Sequence, residues 1–252
     1  MTEKQKVILT ALGEGVVKIT LNRPEVRNAI DEDVIDQLNT ILDKLETNST
    51  VRLAIITGEG EAFCSGGDLS KFHSLKTAED ALKMLVPMSE ILKRFASLPF
   101  ITVAYMNGHA VGGGCEIAAS CDFRVAKPYV KTGFIQGQLQ ITTGWGGASL
   151  LKEKIGFTNA LIMLSTARTF TVEEGVSLGW IQAVVEDEDE LRVWCEQWKL
   201  VSHGVLSTYK HSLRNKQVTR ELFKNIDTEV KECATLWEKE EHHQAVNAFL
   251  SK

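Results

Sequence analysis

Residues 99–124 read PFITVAYMNGHAVGGGCEIAASCDFR. The apolar run Phe100–Met106 predicts a buried strand, which Asn107-Gly108 ends. Three glycines at 112–114 follow, and Glu116–Ala119 predicts the first turns of a buried helix. Glycines between a strand and a helix let a ligand approach the unpaired backbone N–H groups of the helix N-terminus. Two interpretations fit this turn: an oxyanion hole for a carbonyl oxygen that gains negative charge, or a glycine-rich loop that makes a tight bend.

A second glycine turn favours the oxyanion hole. Leu53–Gly58 predicts another buried strand, and the following segment 60–69 contains the pair Gly66-Gly67 before a helical stretch. Two strands that each end in a glycine turn can present one N–H group each to the same oxygen atom.

Strands and helices alternate through the first half of the chain. Residues 7–12 and 16–21 predict a β-hairpin, and apolar residues at helical spacing predict a helix over 31–46. A strand at 51–57 and a helix at about 77–97 lead to the quoted segment. This alternation predicts an α/β fold of parallel strands with helical crossovers.

Helical patterns dominate the sequence after Gly147. Short helices are predicted over 148–155 and 159–165, and the last predicted helix, over 221–250, is long, amphipathic and free of glycine. We place the boundary between a core, residues 1–195, and a C-terminal helical region, residues 196–252. The sequence shows only a helical appendage, which packs either on its own core or on a neighbour.

Composition limits the classes of function. A chain of 252 residues, 44% hydrophobic, is long enough for one sizeable core, and no run approaches the length of a membrane span. A formal net charge of −5 argues against non-specific nucleic-acid binding. The five cysteines are scattered and lack paired metal spacing, which indicates free thiols in a reducing compartment. We therefore expect a cytoplasmic protein with no metal, no nucleic acid and no membrane as partners.

Five motifs occur in the order and spacing of one known family: Asn22-Arg23-Pro24 with Asn28-Ala29, Phe63–Asp68, Asn107–Glu116, Cys121–Arg124 and Gly144–Gly147. In these motifs the chain resembles the crotonase (enoyl-CoA hydratase/isomerase) superfamily. The resemblance implies a ββα spiral core with a C-terminal helical trimerisation region, assembled as a homotrimer or a dimer of trimers. It also implies an acyl-CoA substrate, carried as a coenzyme A thioester, without a separate cofactor.

The resemblance assigns four catalytic positions. The oxyanion donors are the backbone N–H groups of Gly67 and Gly113. Glu116 is the acid/base residue, although a structural carboxylate at a helix terminus is the alternative. Gln136 stands where the hydratases of the family have a second glutamate. An amide does not ionise at physiological pH and does not act as a general acid or base. Residues 131–147 contain no Asp or Glu, which weakens a two-glutamate hydration.

Coenzyme A contacts are implied for two segments that flank the first glycine turn. They are Arg27, Ala29, Gly66, Asp68 and Leu69. Arg27 is the candidate for a phosphate contact, with an exposed surface arginine as the alternative. Trp145 is interpreted either as a wall of the acyl pocket or as core.

Several features resemble the branch of the family that decarboxylates methylmalonyl- and ethylmalonyl-CoA. They are Asp122-Phe123-Arg124, the Trp-Gly-Gly turn at 145–147 and Thr235-Leu236-Trp237. Decarboxylation needs an oxyanion hole but no base, so we place it first. Enoyl-CoA isomerisation or a hydration run by Glu116 comes next, with Glu153 or Glu174 as unforeseen second acids. A catalytically silent acyl-CoA-binding subunit is the alternative from another class.

Overall fold

The computed structural model describes residues 5–214 and 216–251. Two sheets form the centre of the fold. The larger sheet has the order β1-β2-β3-β5-β7-β9 and the smaller one β4-β6-β8. Their strands are β1 (Val7–Gly13), β2 (Val16–Leu21), β3 (Leu53–Gly58), β4 (Ala62–Cys64), β5 (Ile101–Met106), β6 (His109–Val111), β7 (Phe123–Ala126), β8 (Thr132–Gly133) and β9 (Ala183–Val184).

Helices surround and connect the two sheets. They are α1 (Glu32–Glu46), α2 (Leu69–Phe72), α3 (Ala78–Ser97), α4 (Gly113–Ser120), α5 (Gly147–Ser165), α6 (Val172–Ser177), α7 (Glu188–Cys195), α8 (His203–Leu213), α9 (Lys216–Trp237) and α10 (Glu240–Leu250). Short 3-10 turns occupy Pro24–Val26, Gln136–Leu139 and Glu196–Trp198.

A repeated ββα unit explains the two sheets. Strands β3, β5 and β7 are parallel neighbours in the larger sheet, and each is followed directly by one strand of the smaller sheet and then by helices. Strands β4, β6 and β8 are likewise parallel. The chain therefore winds as a spiral of three such units, which confirms the predicted spiral fold. The predicted hairpin is the antiparallel pair of β1 and β2.

Helix α1 illustrates how the sequence forms these layers. Asp31 caps the helix, because its Oδ1 accepts a hydrogen bond from Val34 N at 3.1 Å. The apolar stripe faces the core, and all its members are buried: Val34, Ile35, Leu38, Ile41, Leu42 and Leu45. Helix α4 is buried on every side, which agrees with its lack of a polar face.

The C-terminal region differs from its prediction in one respect. The single helix predicted over 221–250 is two helices, because Lys239 is extended (φ −75°, ψ 146°) and starts α10. Helix α9 packs against α3 and α5, and α10 packs against the turn Gln136–Leu139. Both helices therefore cover the glycine turns of their own chain. In the described part of the chain, every helix is too short or too polar to cross a membrane.

Candidate active site

Two asparagines hold the chain after β3 in the shape that the first glycine turn requires. Asn107 Oδ1 accepts from Thr57 Oγ1 at 3.0 Å and from Gly58 N at 3.1 Å, and its Nδ2 donates to Gly60 O at 2.8 Å. Asn28 Nδ2 donates to Ala62 O at 2.8 Å. The motif asparagines thus serve as anchors for backbone that has no regular partner.

The structure brings the two glycine turns into contact. A Cβ atom on Gly66 would lie 2.9 Å from Gly113 N. Ile30 N donates to Gly66 O and Asp68 N donates to Ile30 O, both at 2.8 Å, and this pairing leaves Gly67 N–H unused. Gly113 is the first residue of α4, so its N–H group has no intrahelical acceptor. Across residues 5–214 and 216–251, neither N–H group has a protein acceptor, as the predicted oxyanion hole requires.

Trp145 lies against both turns. A Cβ atom on Gly113 would lie 2.1 Å from its indole Cζ3, and a Cβ atom on Gly67 would lie 3.6 Å from Cζ2. The side chain is 3% exposed. It also lines the cavity in front of the turns. Trp145 is therefore both pocket wall and core, and Gly113 accepts no side chain while Trp145 holds this position.

Glu116, in the first turn of α4, is 2% exposed. Its Oε2 accepts from Trp145 N at 2.9 Å and from Gly147 N at 2.8 Å, and its Oε1 accepts from Gly144 N at 3.4 Å. The N-terminus of α5 therefore binds the carboxyl group. A Cβ atom on Gly147 would lie 2.5 Å from Glu116 Cγ, so only glycine fits there.

The environment of Glu116 favours its neutral form. Burial raises its pKa to about 8, and the nearby Glu229 carboxylate acts in the same direction. The N–H groups of Trp145, Gly147 and Gly144 oppose this shift without cancelling it. Glu116 is accordingly a mostly protonated acid at neutral pH.

Gln136 is in direct contact with Glu116. Its Nε2 donates to Glu116 Oε1 at 2.9 Å. Its Oε1 is buried and has no hydrogen-bond partner. The residue begins a 3-10 turn and lines the cavity. An amide therefore occupies the place beside Glu116 that the resemblance assigns to a second acid.

Glu229 is the residue that sequence reasoning missed. It lies on α9, 8% exposed, and accepts from Ala148 N at 3.0 Å and from Ser149 N at 2.9 Å. A glutamate on the apolar stripe of α9, beside Ile226 and Val230, is the signal that identifies it. Glu153 and Glu174, by contrast, do not line the cavity, and Glu174 pairs at the surface with an arginine.

The cavity in front of the glycine turns has a volume of about 280 Å³. Helices α9 and α10 of the same chain close it with Cys233, Trp237, Ala245, Ala248 and Phe249. Apart from Glu116, the described residues that line it carry no charge. The cavity suits a small apolar acyl group with its carbonyl at the glycine turns.

The residues implied for coenzyme A divide into two groups. Gly66 and Leu69 line the cavity. Asp68 and Ala29 are buried beside it, where Arg23 donates to Asp68 Oδ2 at 2.9 Å and to Ala29 O at 2.5 Å. Burial acts to raise the pKa of Asp68, but hydrogen bonds from Ser70 and Arg23 lower it below its usual value. These two residues support the turn, and their contact with coenzyme A stays a prediction.

Arg27 is exposed at the edge of the first glycine turn. Its backbone is left-handed (φ 54°), and its carbonyl accepts from Ser65 N at 3.0 Å. Because Ser65 lines the cavity, this bond fixes Arg27 near the cavity mouth. Its contact with a phosphate stays a prediction.

Neither Cys64 nor Cys233, near the glycine turns, is an activated nucleophile. Cys233 lines the cavity, and burial raises the pKa of its thiol. Cys64, beside the first turn, is buried, and burial raises the pKa of its thiol to about 12. Thiolate is the nucleophilic form of cysteine. Cys64 therefore packs the turn.

Comparisons with known proteins agree with this geometry. The sequence model of the enoyl-CoA hydratase/isomerase family matches residues 11–252. The short-chain-enoyl-CoA hydratase of Clostridium acetobutylicum is 30% identical over 99% of this chain and 96% of its own. The ethylmalonyl-CoA decarboxylase of Gallus gallus is 32% identical over 78% of this chain and 68% of its own. The crystal structure of an enoyl-CoA hydratase from Bacillus halodurans superposes with a TM-score of 0.88 at 23% identity, covering 96% of this chain and 99% of that one.

Fold and glycine turns together define a protein of the crotonase superfamily. The chain belongs to the enoyl-CoA hydratase/isomerase family, whose model covers nearly its whole length.

Proposed function

We propose that the protein decarboxylates a 2-carboxyacyl-CoA of the methylmalonyl or ethylmalonyl type. One observation carries this proposal: among the described residues that line the cavity, Glu116 is the one acid, and its neighbour Gln136 is an amide. Loss of CO2 leaves its electron pair on the substrate, so the reaction needs one proton donor and no base.

The proposed reaction uses the glycine turns first. The thioester oxygen accepts hydrogen bonds from Gly67 N–H and Gly113 N–H. The bond between Cα and the carboxylate breaks, CO2 leaves, and the electron pair forms an enolate whose oxygen these donors stabilise. Protonated Glu116 then gives its proton to Cα and regains one from water.

The hydrogen bond between Gln136 and Glu116 depends on whether Glu116 is protonated. When Glu116 is ionised, the amide donates Nε2–H to it and the Oε1 is unpaired. When Glu116 is protonated, a half-turn of the amide lets Oε1 accept the acid proton. The NH2 group then faces the cavity and is available to the substrate carboxylate.

The uncharged lining also favours loss of CO2. A substrate carboxylate that enters this cavity loses its hydration and meets no cation among the described lining residues. Burial of a carboxylate without a cationic partner is unfavourable. Departure of neutral CO2 relieves this penalty, which lowers the barrier relative to water.

Hydration or isomerisation of an enoyl-CoA is the second candidate. The relative from Clostridium acetobutylicum, similar over 99% of this chain, is named a short-chain-enoyl-CoA hydratase. In hydration Glu116 works alone, without general acid/base help worth about a hundredfold or more, whereas in isomerisation one residue is enough to shuttle the proton. A silent acyl-CoA-binding subunit is less consistent with an acid held by several donors inside a cavity.

A panel of thioesters tests the proposal. Purified protein is incubated with ethylmalonyl-CoA, crotonyl-CoA and 3-hydroxybutyryl-CoA, and products are followed by mass. We expect loss of CO2 from the first thioester and slow or no reaction of the others. Gln136→Glu restores a second acid and is expected to weaken decarboxylation and raise hydration. Fast hydration by the unaltered protein without CO2 loss contradicts the proposal.

A further inference from the structure

A second buried carboxylate shares a helix terminus with Glu116. The N-terminus of α5 donates Gly147 N–H to Glu116 Oε2 at 2.8 Å and the next N–H group, that of Ala148, to Glu229 Oε1 at 3.0 Å. The two carboxyl groups therefore bind adjacent donors of one helix. They come from different helices, α4 and α9, so the arrangement depends on tertiary packing.

The Glu229 carboxyl group accepts hydrogen bonds from both backbone and side-chain donors. Besides Ala148 N, its carboxyl group accepts from Ser149 N at 2.9 Å, from Ser149 Oγ at 2.7 Å and from Thr143 Oγ1. Burial raises the pKa of Glu229, and these hydrogen bonds lower it in part. These hydrogen bonds favour the ionised form of Glu229 and so oppose the effect of its burial.

We propose that Glu229 is a positioning residue for the reaction: from α9 it fixes the N-terminus of α5, which holds the Glu116 carboxyl group, and it places a second carboxyl group beside this proton donor. The role of Glu116 as proton donor rests on the proposed function. Glu229 itself does not line the cavity and acts through Glu116.

The surroundings of Glu116 support this assignment. Like charges in close proximity favour protonation of one of the pair, and Glu229 is the charged group that acts on the pKa of Glu116. Two thiols are also near, Cys115 on α4 and Cys233 on α9, and burial raises the pKa of both, so they are neutral. The other described neighbours in the cavity are uncharged: Met84 and Leu85 on α3, Gly66 and Gly67 in the first turn, and Gln136.

The direction of the effect follows from the charges. Removal of the Glu229 charge lowers the pKa of Glu116. Since the protonated form donates the proton, decarboxylation by Glu229→Gln is expected to decline at lower pH than in the unaltered protein. The ratio of kcat at about pH 8 to kcat at about pH 6 should fall roughly twofold or more, which corresponds to half a pKa unit below the value of the unaltered protein. Glu229→Asp, which keeps the charge, should restore part of the profile.

Ser149→Ala is the matched control. It removes one hydrogen bond to Glu229 Oε2 and keeps the Glu229 side chain, so a small loss of stability and a much smaller shift of the pH profile than in Glu229→Gln are expected. A purely structural role for Glu229 predicts that Glu229→Gln behaves in the same way. A folded Glu229→Gln protein with an unshifted profile therefore overturns the proposal.

A titration by 13C NMR tests the coupling of Glu116 and Glu229 without requiring turnover of a substrate. The Glu116 carboxyl signal is assigned by its loss in Glu116→Gln and followed against pH. We expect a lower midpoint in Glu229→Gln, and in the unaltered protein the two-step titration of a coupled pair. A single step at the usual pKa of glutamate overturns the inference, even if Glu229→Gln does not fold. If the midpoint moves but no thioester loses CO2, the proposed function fails and the coupling of the two carboxylates stands.

Discussion

Glu116 combines three features that rarely occur together in a carboxyl group: full burial, several backbone donors and a second carboxylate nearby. The backbone N–H donors fix the orientation of the carboxyl group, while burial and the nearby Glu229 raise its pKa and so favour the protonated form. Gln136 contacts it and, as an amide, does not ionise at physiological pH. At the scale of single residues, the site is therefore built to deliver one proton to one position.

The pH dependence of decarboxylation follows from this state. The pKa of Glu116 is raised above the usual value of glutamate to about 8. The acid is therefore present below that pH and lost above it. We expect kcat to be highest near or below pH 7 and to decline as the pH rises through about 8. A rate that instead rises through this range indicates that Glu116 is a base and contradicts the mechanism.

Glu116→Gln tests the acid itself. The substitution removes the proton donor and keeps the shape of the side chain, and we expect kcat to fall about 10²- to 10⁴-fold. The thioester should still bind, because the glycine turns are intact. Retention of full activity rules out Glu116 as the donor.

The oxyanion donor at Gly67 has its own pair of variants. A Cβ atom there meets its nearest neighbour at 3.5 Å, an ordinary contact, so Gly67→Ala should stay active. Gly67→Pro deletes the N–H group and is expected to lower kcat about 10²- to 10³-fold. Gly113 is unsuitable for this test, because any side chain there collides with Trp145. Equal activity of the two Gly67 variants contradicts the oxyanion assignment.

Single residues also show which parts of the site can be predicted from the sequence. Glycine pairs next to predicted strands and a glutamate in an apolar helix identify the turns and Glu116, because such residues are costly where they have no role. Glu229 lies 113 positions further along the chain. Only the packing of α9 against α5 brings it to Glu116, and no local pattern encodes that distance.

Among the elements, helices α1 and α3 were predicted and the short strands of the smaller sheet were not. Helices α1 and α3 begin within a residue of their predicted starts, since each has a cap and an apolar stripe. Strands β4, β6 and β8 have two or three residues each, too few to show a period of two. Their hydrogen bonds to one another, rather than their sequences, define them.

Helix α10 is joined to the site by one histidine. His242 is buried, its Nδ1 is 2.7 Å from Leu139 O, and its ring lies 4.6 Å from that of Trp237. The turn that ends at Leu139 begins with Gln136. The hydrogen bond therefore connects the cover of the cavity to the residue beside Glu116.

His242→Leu should lower the free energy of unfolding by about 1–3 kcal/mol, because the carbonyl of Leu139 loses its buried donor. Burial lowers the pKa of His242, so in the unaltered protein its share of stability is present above the usual pKa of about 6.5 and lost as the pH falls below it. Denaturant unfolding at about pH 7.5 and about pH 5.5 measures both effects.

His243→Leu, on the same helix, serves as the control for His242→Leu. It should retain the pH dependence of the unaltered protein. If both variants have the same stability and the same pH dependence as the unaltered protein, His242 does not anchor α10.

At the scale of the whole molecule, the fold agrees with the family and the assembly stays a prediction. Two helices expose large apolar side chains: Phe157 (65% exposed) and Leu161 (50%) on α5, and Tyr209 (65%) and Leu213 (81%) on α8. Exposed apolar groups of this size are typical of interfaces. They are consistent with the trimer that the resemblance implies.

Light scattering after size exclusion measures the assembly directly. We expect the mass of three chains, or six, and a decrease for the double variant Phe157→Glu with Leu161→Glu, since carboxylates in an apolar interface are unfavourable. Circular dichroism of the variant controls for unfolding. A monomer at all concentrations contradicts the prediction of a trimer.

Decarboxylation of ethylmalonyl-CoA in D2O follows both the loss of CO2 and the transfer of a proton to the product. We expect a butyryl-CoA product that has lost CO2 and gained one deuteron at the carbon that carried the carboxylate, seen by mass spectrometry and formed about 10²- to 10⁴-fold more slowly by Glu116→Gln. Recovery of unchanged ethylmalonyl-CoA from folded protein that rapidly hydrates crotonyl-CoA would contradict the proposed function.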